Sequence, residues 1–309
     1  MADRLYLSSM FKIAWSPIYH HPLPEGHKFP MEKYSLLPEQ LIYEGTIGES
    51  SLFAPDSVSE EDLLRVHDSE YWKRLLNLQL TPSEQRRSGF PHSEQLIERE
   101  RCIMQGTLQA ALFALKYGAA ANIAGGTHHA YSNRAEGFCL LNDMAIAARY
   151  LIHHRLAKRV LFVDLDVHQG NGSAEIFRDD PAVFTFSMHG RDNYPMHKEK
   201  SDLDVELPKG TSDEAYLKLL RHHLPRIVDN FKPDFVFYQC GVDVLASDKL
   251  GHLGLTIQGC RERDSEVIST CHKNSLPLAL SMGGGYSKRI ADIIEAHANT
   301  YRLVAEEYF

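Results

Sequence analysis

The 309-residue chain has no CxxC pair, no internal repeat, no block of like charge and no Pro/Ser/Gly-rich linker. Its apolar runs stop well short of the roughly 18 residues that suggest a membrane span, so none is expected. The N-terminal stretch carries Asp3 and Arg4 but no sustained apolar core, and no secretory signal is read there. Five cysteines (Cys102, Cys139, Cys240, Cys260 and Cys271) form an odd set without close pairing. That pattern argues against a disulfide framework and for a reducing, cytoplasmic setting. With 33 Lys+Arg against 41 Asp+Glu the net charge is -8. An acidic balance speaks against direct binding of nucleic acid and fits cationic or lysine-bearing ligands. What is present is an ordinary globular composition, 43% hydrophobic and 24% charged, with 17 histidines. Without a linker, one domain over 1–309 is expected.

Strands alternate with helices. Short apolar runs rich in β-branched and aromatic residues cover 11–15, 120–124, 160–166, 183–188, 235–240 and 278–282. Helical patterns cover 94–117, 142–154, 212–231, 257–272 and 287–307. Gly118 is expected to end the first of these, and Ser212, Asp213 and Glu214 to cap the third. The strand runs are apolar throughout instead of alternating, so both faces should be covered. The expected fold is α/β, a three-layer sandwich with a central, mainly parallel sheet flanked by helices. Ligands in such folds bind beyond the C-terminal ends of the strands.

Four polar elements fall there. The first is Asp164-Leu-Asp166-Val-His168-Gln-Gly-Asn171, at the end of the run 160–166. Strand alternation would put Asp164, Asp166 and His168 on one side. Carboxylates so close repel unless a cation compensates them. The motif is short enough to match by chance, and 202–206 repeats Asp-Leu-Asp-Val without the histidine, as an ordinary exposed strand. The second is Gly125-Gly-Thr-His128-His129. His20-His21, His153-His154 and His222-His223 act as controls: one pair lies in a Pro-rich loop, two in helices where neighbours diverge by about 100°. The third, Gly241-Val-Asp243, could equally be a turn or cap. The fourth, Gly283-Gly-Gly-Tyr286, could cradle phosphate, but lacks the lysine and Ser/Thr of a P-loop. Together Asp166, His168 and Asp243 would give two oxygens and one nitrogen with an open position, a catalytic type of metal site. His129 would take a proton from metal-bound water, and Tyr286 would donate to a developing oxyanion.

GGTHHA (125–130), EGFCLLND (136–143), DLDVHQGNG (164–172), GVDVL (241–245) and GGGY (283–286) resemble, in order and spacing, the zinc-dependent histone deacetylase family. Segments 21–34 and 59–71, with the NYP at 193–195, look most like its compact class IV branch. The resemblance implies the arginase/deacetylase fold, with Zn2+ on Asp166, His168 and Asp243. It implies that His129 is general base and later acid, that His128 backed by Asp164 is its electrostatic neighbour, and that Tyr286 polarises the acyl carbonyl. Gly137, Phe138, Tyr194 and Leu250 fall where the family lines its acyl-lysine tunnel. A K+ ion beside the zinc would use Asp164, Asp166, His168, Ser187 and the backbone of Met188.

Two positions depart from the pattern. Asn171 stands where class I enzymes carry an aspartate behind the general base, and an amide cannot stabilise an imidazolium as a carboxylate does. Lys28 falls near the arginine of the family's inner acetate channel and lacks its bidentate geometry. The implied reaction is zinc-dependent removal of acetyl or longer acyl groups from Nε-acyl-lysine of a protein or peptide. Fe2+ also suits an Asp2His set, and a hydroxamate able to chelate the open position should inhibit. An acetylpolyamine amidohydrolase acting on acylated small amines is the nearest alternative, although 79–93 shows no tunnel-narrowing insertion. A non-catalytic acyl-lysine-binding protein would retain its residues without turnover. Manganese ureohydrolases need a second-metal aspartate that DLDVHQGN does not offer.

Overall fold

All five residues of VLFVD at 160–164 and of FVFYQ at 235–239 are buried, so these strands need cover on both faces. The computed structural model describes residues 10–309. Its strands are β1 (Lys12–Ala14), β2 (Leu52–Phe53), β3 (Ala119–Asn122), β4 (Val160–Asp164), β5 (Val183–Gly190), β6 (Leu203–Leu207), β7 (Phe235–Gln239) and β8 (Leu278–Ser281). The helices are α1 (Lys33–Tyr43), α2 (Glu60–Leu63), α3 (Ser69–Leu76), α4 (Pro82–Ser88), α5 (Glu94–Tyr117), α6 (Asp143–His153), α7 (Asn171–Ile176), α8 (Asp213–Phe231), α9 (Ile257–Lys273) and α10 (Ile290–Tyr308).

The strands form one sheet in the order β2-β1-β3-β8-β7-β4-β5-β6, and every neighbouring pair is parallel. Two groups of helices cover it. One is α5 with α6, α5 also packing on β1, β3 and β8; in the other, α9 packs between α8 and α10, with α1 outside α10. The four motif-bearing strands are β3, β8, β7 and β4, which stand side by side. Motifs more than a hundred residues apart therefore emerge together beyond the C-terminal ends of these strands.

Several local expectations are corrected. Ser93 caps α5 by accepting from Leu96 N–H, and Gly118 ends it as expected. Ser212 flanks α8 without capping it through its side chain; Asp213 instead accepts from Thr256. The last helix begins at Ile290, not directly after the glycines. The 202–206 segment is not simply an exposed strand. It contributes the parallel edge strand β6, Asp202 accepts from Thr185, and half-buried Asp204 accepts from Gln169. Among the control histidines, His20 is exposed but His21 is buried.

Asp143 ties this framework together from the start of α6. Its carboxylate accepts from Thr107 and Ser281 hydroxyls, Gly126 N–H, and both Thr127 N–H and hydroxyl, at 2.7–3.0 Å. Those groups belong to α5, β8 and the turn after β3. Asp143→Ala strands five buried donors and should cost about 3–5 kcal/mol of stability by urea unfolding. A loss below about 1 kcal/mol would contradict this role.

Candidate functional site

β4 ends at Asp164, so strand alternation is not what gathers Asp164, Asp166 and His168. The chain turns instead. Asp166 N–H donates to Asp164 Oδ1 at 3.2 Å, and His168 N–H donates to Asp166 Oδ1 at 3.0 Å. Each carboxylate thus holds the backbone two residues on, the Asx-turn habit of aspartate. The turn separates the side chains. Asp164 Oδ2 faces His128 Nδ1 at 2.7 Å, while Asp166 and His168 face Asp243 from the end of β7.

Asp166, His168 and Asp243 are buried, and their ligand atoms lie within 4.8 Å of one another. His168 Nδ1 is 3.0 Å from Asp166 Oδ1 and 3.1 Å from Asp243 Oδ2. Bonds of about 2.0–2.1 Å around a tetrahedral ion separate ligands by roughly 3.3 Å, so the triangle fits a small divalent cation. Its charges fit as well. Burial and then Asp166 push Asp243 up to about 7, and although burial opposes it, Asp166 and Asp243 lift His168 to about 10. Two buried carboxylates this close need positive charge between them, which a cation in the triangle would supply. The outer oxygens are fixed too. Asp243 Oδ1 accepts from Val167 N–H at 2.9 Å and Asp166 Oδ2 from Gly284 N–H at 3.0 Å. A Cβ on Gly284 would sit 2.1 Å from Asp243 Oδ2, so only glycine lets this backbone approach. The glycine-rich turn therefore serves the carboxylates, not a phosphate.

The two histidines after β3 carry different charges. Burial disfavours charge on His128, but Asp164 overrides it and lifts the imidazole to about 9. Burial, reinforced by the charges of His128 and His168, holds His129 well below its ordinary value, hence neutral. His129 Nδ1 lies 2.6 Å from Asn171 Oδ1, an acceptor-only atom, so Nδ1 carries the hydrogen and Nε2 is free to accept. Burial, and after it Asp243 and Asp166, push Tyr286 well above its ordinary value, so its phenol remains a donor.

One cavity is lined by Asp166, His168, His128, His129 and Tyr286, and by Gly137 and Phe138. A Cβ on Gly137 would lie 2.7 Å from the His129 ring, and its φ of +53° also favours glycine. Tyr194 stands at the rim, its ring 5.0 Å from that of His129 and its hydroxyl donating to Glu136. Leu250 is half-buried outside the lining, its carbonyl bound by Asn193. Ser187 pairs with Asp164 across β4 and β5, and Met188 is the next, buried residue.

Part of the cavity lining was not read from the sequence. Lys28 is exposed, whereas buried Arg99 lines the cavity with Tyr34 and Phe29. Arg99 donates to Tyr19 O and pairs with Glu100. Lys33 donates to Gly283 O at 2.9 Å; burial lowers it to about 8 despite the nearby Asp243, Asp166 and Asp248. Arg99 and Glu100 look like surface charges, but they follow Leu96 by three and four residues, on the apolar stripe of α5.

A parallel α/β sandwich with a buried Asp-His-Asp triangle, a neutral histidine and a protonated tyrosine has the arrangement of a hydrolytic site whose triangle could hold a metal ion. The histidine pair and tyrosine narrow it. A family model described as histone deacetylase domain matches residues 27–301, and the chain belongs to that family. It is 44% identical over 298 residues to an uncharacterized protein of Picosynechococcus sp., covering 96% of this chain and 99% of that one. It is 31% identical to histone deacetylase 2 of Arabidopsis thaliana, covering 87% and 72% respectively. Acetoin utilization protein AcuC of Bacillus subtilis is 30% identical, covering 88% and 76%. The crystal structure of the HDA15 HD domain superposes with a TM-score of 0.82 at 22% identity over 97% of this chain and 89% of that one, a likeness of fold.

Asp243→Ala removes one of the three groups that would hold an ion. Metal analysis of the purified variant should fall from about one ion per chain to near zero, as expected for a three-ligand site. Full occupancy would refute the triangle as a metal site.

Proposed function

We propose that the chain is a zinc-dependent deacylase that hydrolyses Nε-acyl-lysine in peptides or proteins. The observation that carries this reading is the convergence of Asp166 Oδ1, His168 Nδ1 and Asp243 Oδ2 beside a neutral His129. Zn2+ held by these three residues would supply Lewis acidity and lower the pKa of bound water to about 7. Fe2+ suits the same donors. Metal analysis of protein made with each ion decides between them. A K+ ion held near Asp164, Asp166, His168, Ser187 and Met188 would add fixed positive charge behind the site.

His129 Nε2 accepts the proton of the attacking water and later delivers it to the departing lysine amine. His128, charged and paired with Asp164, favours negative charge building beside it. Tyr286 donates its hydroxyl proton in a hydrogen bond to the acyl oxygen. Gly137, Phe138 and Tyr194 hold the alkyl stem and exclude water. The free amine product is cationic, which suits a chain of net charge -8.

The family match and the 31% identity to a histone deacetylase support the reaction class. The class IV likeness rests on 21–34, 59–71 and 193–195. Release of carboxylic acid from lysine peptides bearing acetyl to myristoyl groups, and from acetylated polyamines, tests the reading. Turnover of peptides supports it, turnover of polyamines alone replaces the substrate, and no turnover refutes it. Tyr286→Phe should keep its metal and lose about 100- to 1,000-fold in kcat, as other oxyanion donors do. Unchanged kcat would remove the tyrosine from the mechanism.

A further inference from the structure

Behind His129 a chain of hydrogen bonds runs to the surface. Asn171 Oδ1 faces His129 Nδ1 at 2.6 Å, and Asn171 Nδ2 donates to the Tyr131 hydroxyl at 3.0 Å. That hydroxyl donates to Glu199 Oε1 at 3.2 Å. Glu199 is itself fixed: Oε2 pairs with Arg178 at 2.5 Å, and its backbone N–H and carbonyl bind both ends of the Gln169 amide. Tyr131 is buried, with the Arg134 guanidinium stacked 3.4 Å from its ring centre.

We propose that Tyr131 and Glu199 are positioning residues that fix the amide orientation of Asn171 and so the tautomer of His129. A carboxylate only accepts, so the Tyr131 proton is committed to Glu199. Burial pushes that phenol up to about 12, and it keeps its proton. The Tyr131 oxygen can then only accept from Asn171, which must turn its NH2 outward and its oxygen toward His129. The oxygen draws hydrogen onto Nδ1 and leaves the Nε2 lone pair free. An aspartate at 171 accepts at either oxygen and needs no such lock. The asparagine does, because a flipped amide would donate to Nδ1, move the hydrogen to Nε2 and abolish the base. The wrong histidine tautomer costs about 10,000-fold in a serine-protease triad, and one hydrogen bond is worth about 1 kcal/mol, roughly fivefold in population.

This inference rests on His129 acting as the base in the proposed function, and its test is separable from that reading. In Tyr131→Phe, kcat should fall about two- to fivefold, the range that losing a fivefold population bias allows, with KM and metal content unchanged. In the Asn171→Asp background the same substitution should cost less than about twofold, a coupling read by the double-mutant cycle. Nitrogen-15 NMR of labelled, metal-loaded protein should show Nδ1–H at His129 in the parent and a mixed population in Tyr131→Phe. Glu199→Gln, at a half-buried position, should mix the tautomers in the same direction and serves if Tyr131→Phe does not fold. Equal kinetic losses in both backgrounds, or an unmixed Nδ1–H signal in the variants, would overturn the lock. An inactive parent with the tautomer shift intact would instead refute the deacylase reading alone.

Discussion

Two carboxylates and an imidazole meet at about hydrogen-bond distance in the interior, and the surrounding structure is arranged around the charge this creates. Buried like charges this close are unfavourable without compensation. The chain supplies it in layers. Backbone N–H groups of Val167, His168 and Gly284 point at the carboxylate oxygens, and charged His128 stands 4.0 Å from Asp166. Lys33 lies beneath the glycine turn. Of these donors only His168 N–H reaches an inner oxygen, Asp166 Oδ1, and the three ligand atoms still face one another across the space a cation would fill.

The sheet makes that meeting possible. Because β3, β8, β7 and β4 are neighbours, residues near 128, 284, 243 and 166 leave it together. Asp143 then fastens the turn after β3 to α5 and β8, which sets the histidine pair against β4. The pair shares a sequence but not a charge. A carboxylate behind His128 makes it a fixed cation, whereas burial keeps His129 neutral, with an amide and no carboxylate at its Nδ1. The neighbouring positive charge also helps keep His129 unprotonated, so the two roles reinforce each other.

Much of this was legible in the sequence because the site residues are polar where buried strands end. Asp166, His168 and Asp243 stood out against apolar runs, and Tyr286 followed a glycine triplet. The turn geometry was not legible. Asp-x-Asp-x-His reads as strand alternation, but the aspartates capture their own backbone and end the strand at Asp164. Arg99 was hidden because charges on a long helix look solvated, and Lys28 drew attention by chain position alone. Neither Tyr131 nor Glu199 carries a motif; only their shared line behind Asn171 gives them meaning.

The central claim is that one divalent ion on Asp166, His168 and Asp243 is required for acyl-lysine hydrolysis. Its most direct test is a titration of Zn2+ into metal-stripped protein, with bound metal and carboxylic acid release measured on the same samples. Acid release should rise in proportion to bound zinc and level off at one ion per chain. Release that is independent of bound zinc, or absent at full occupancy, would contradict the account.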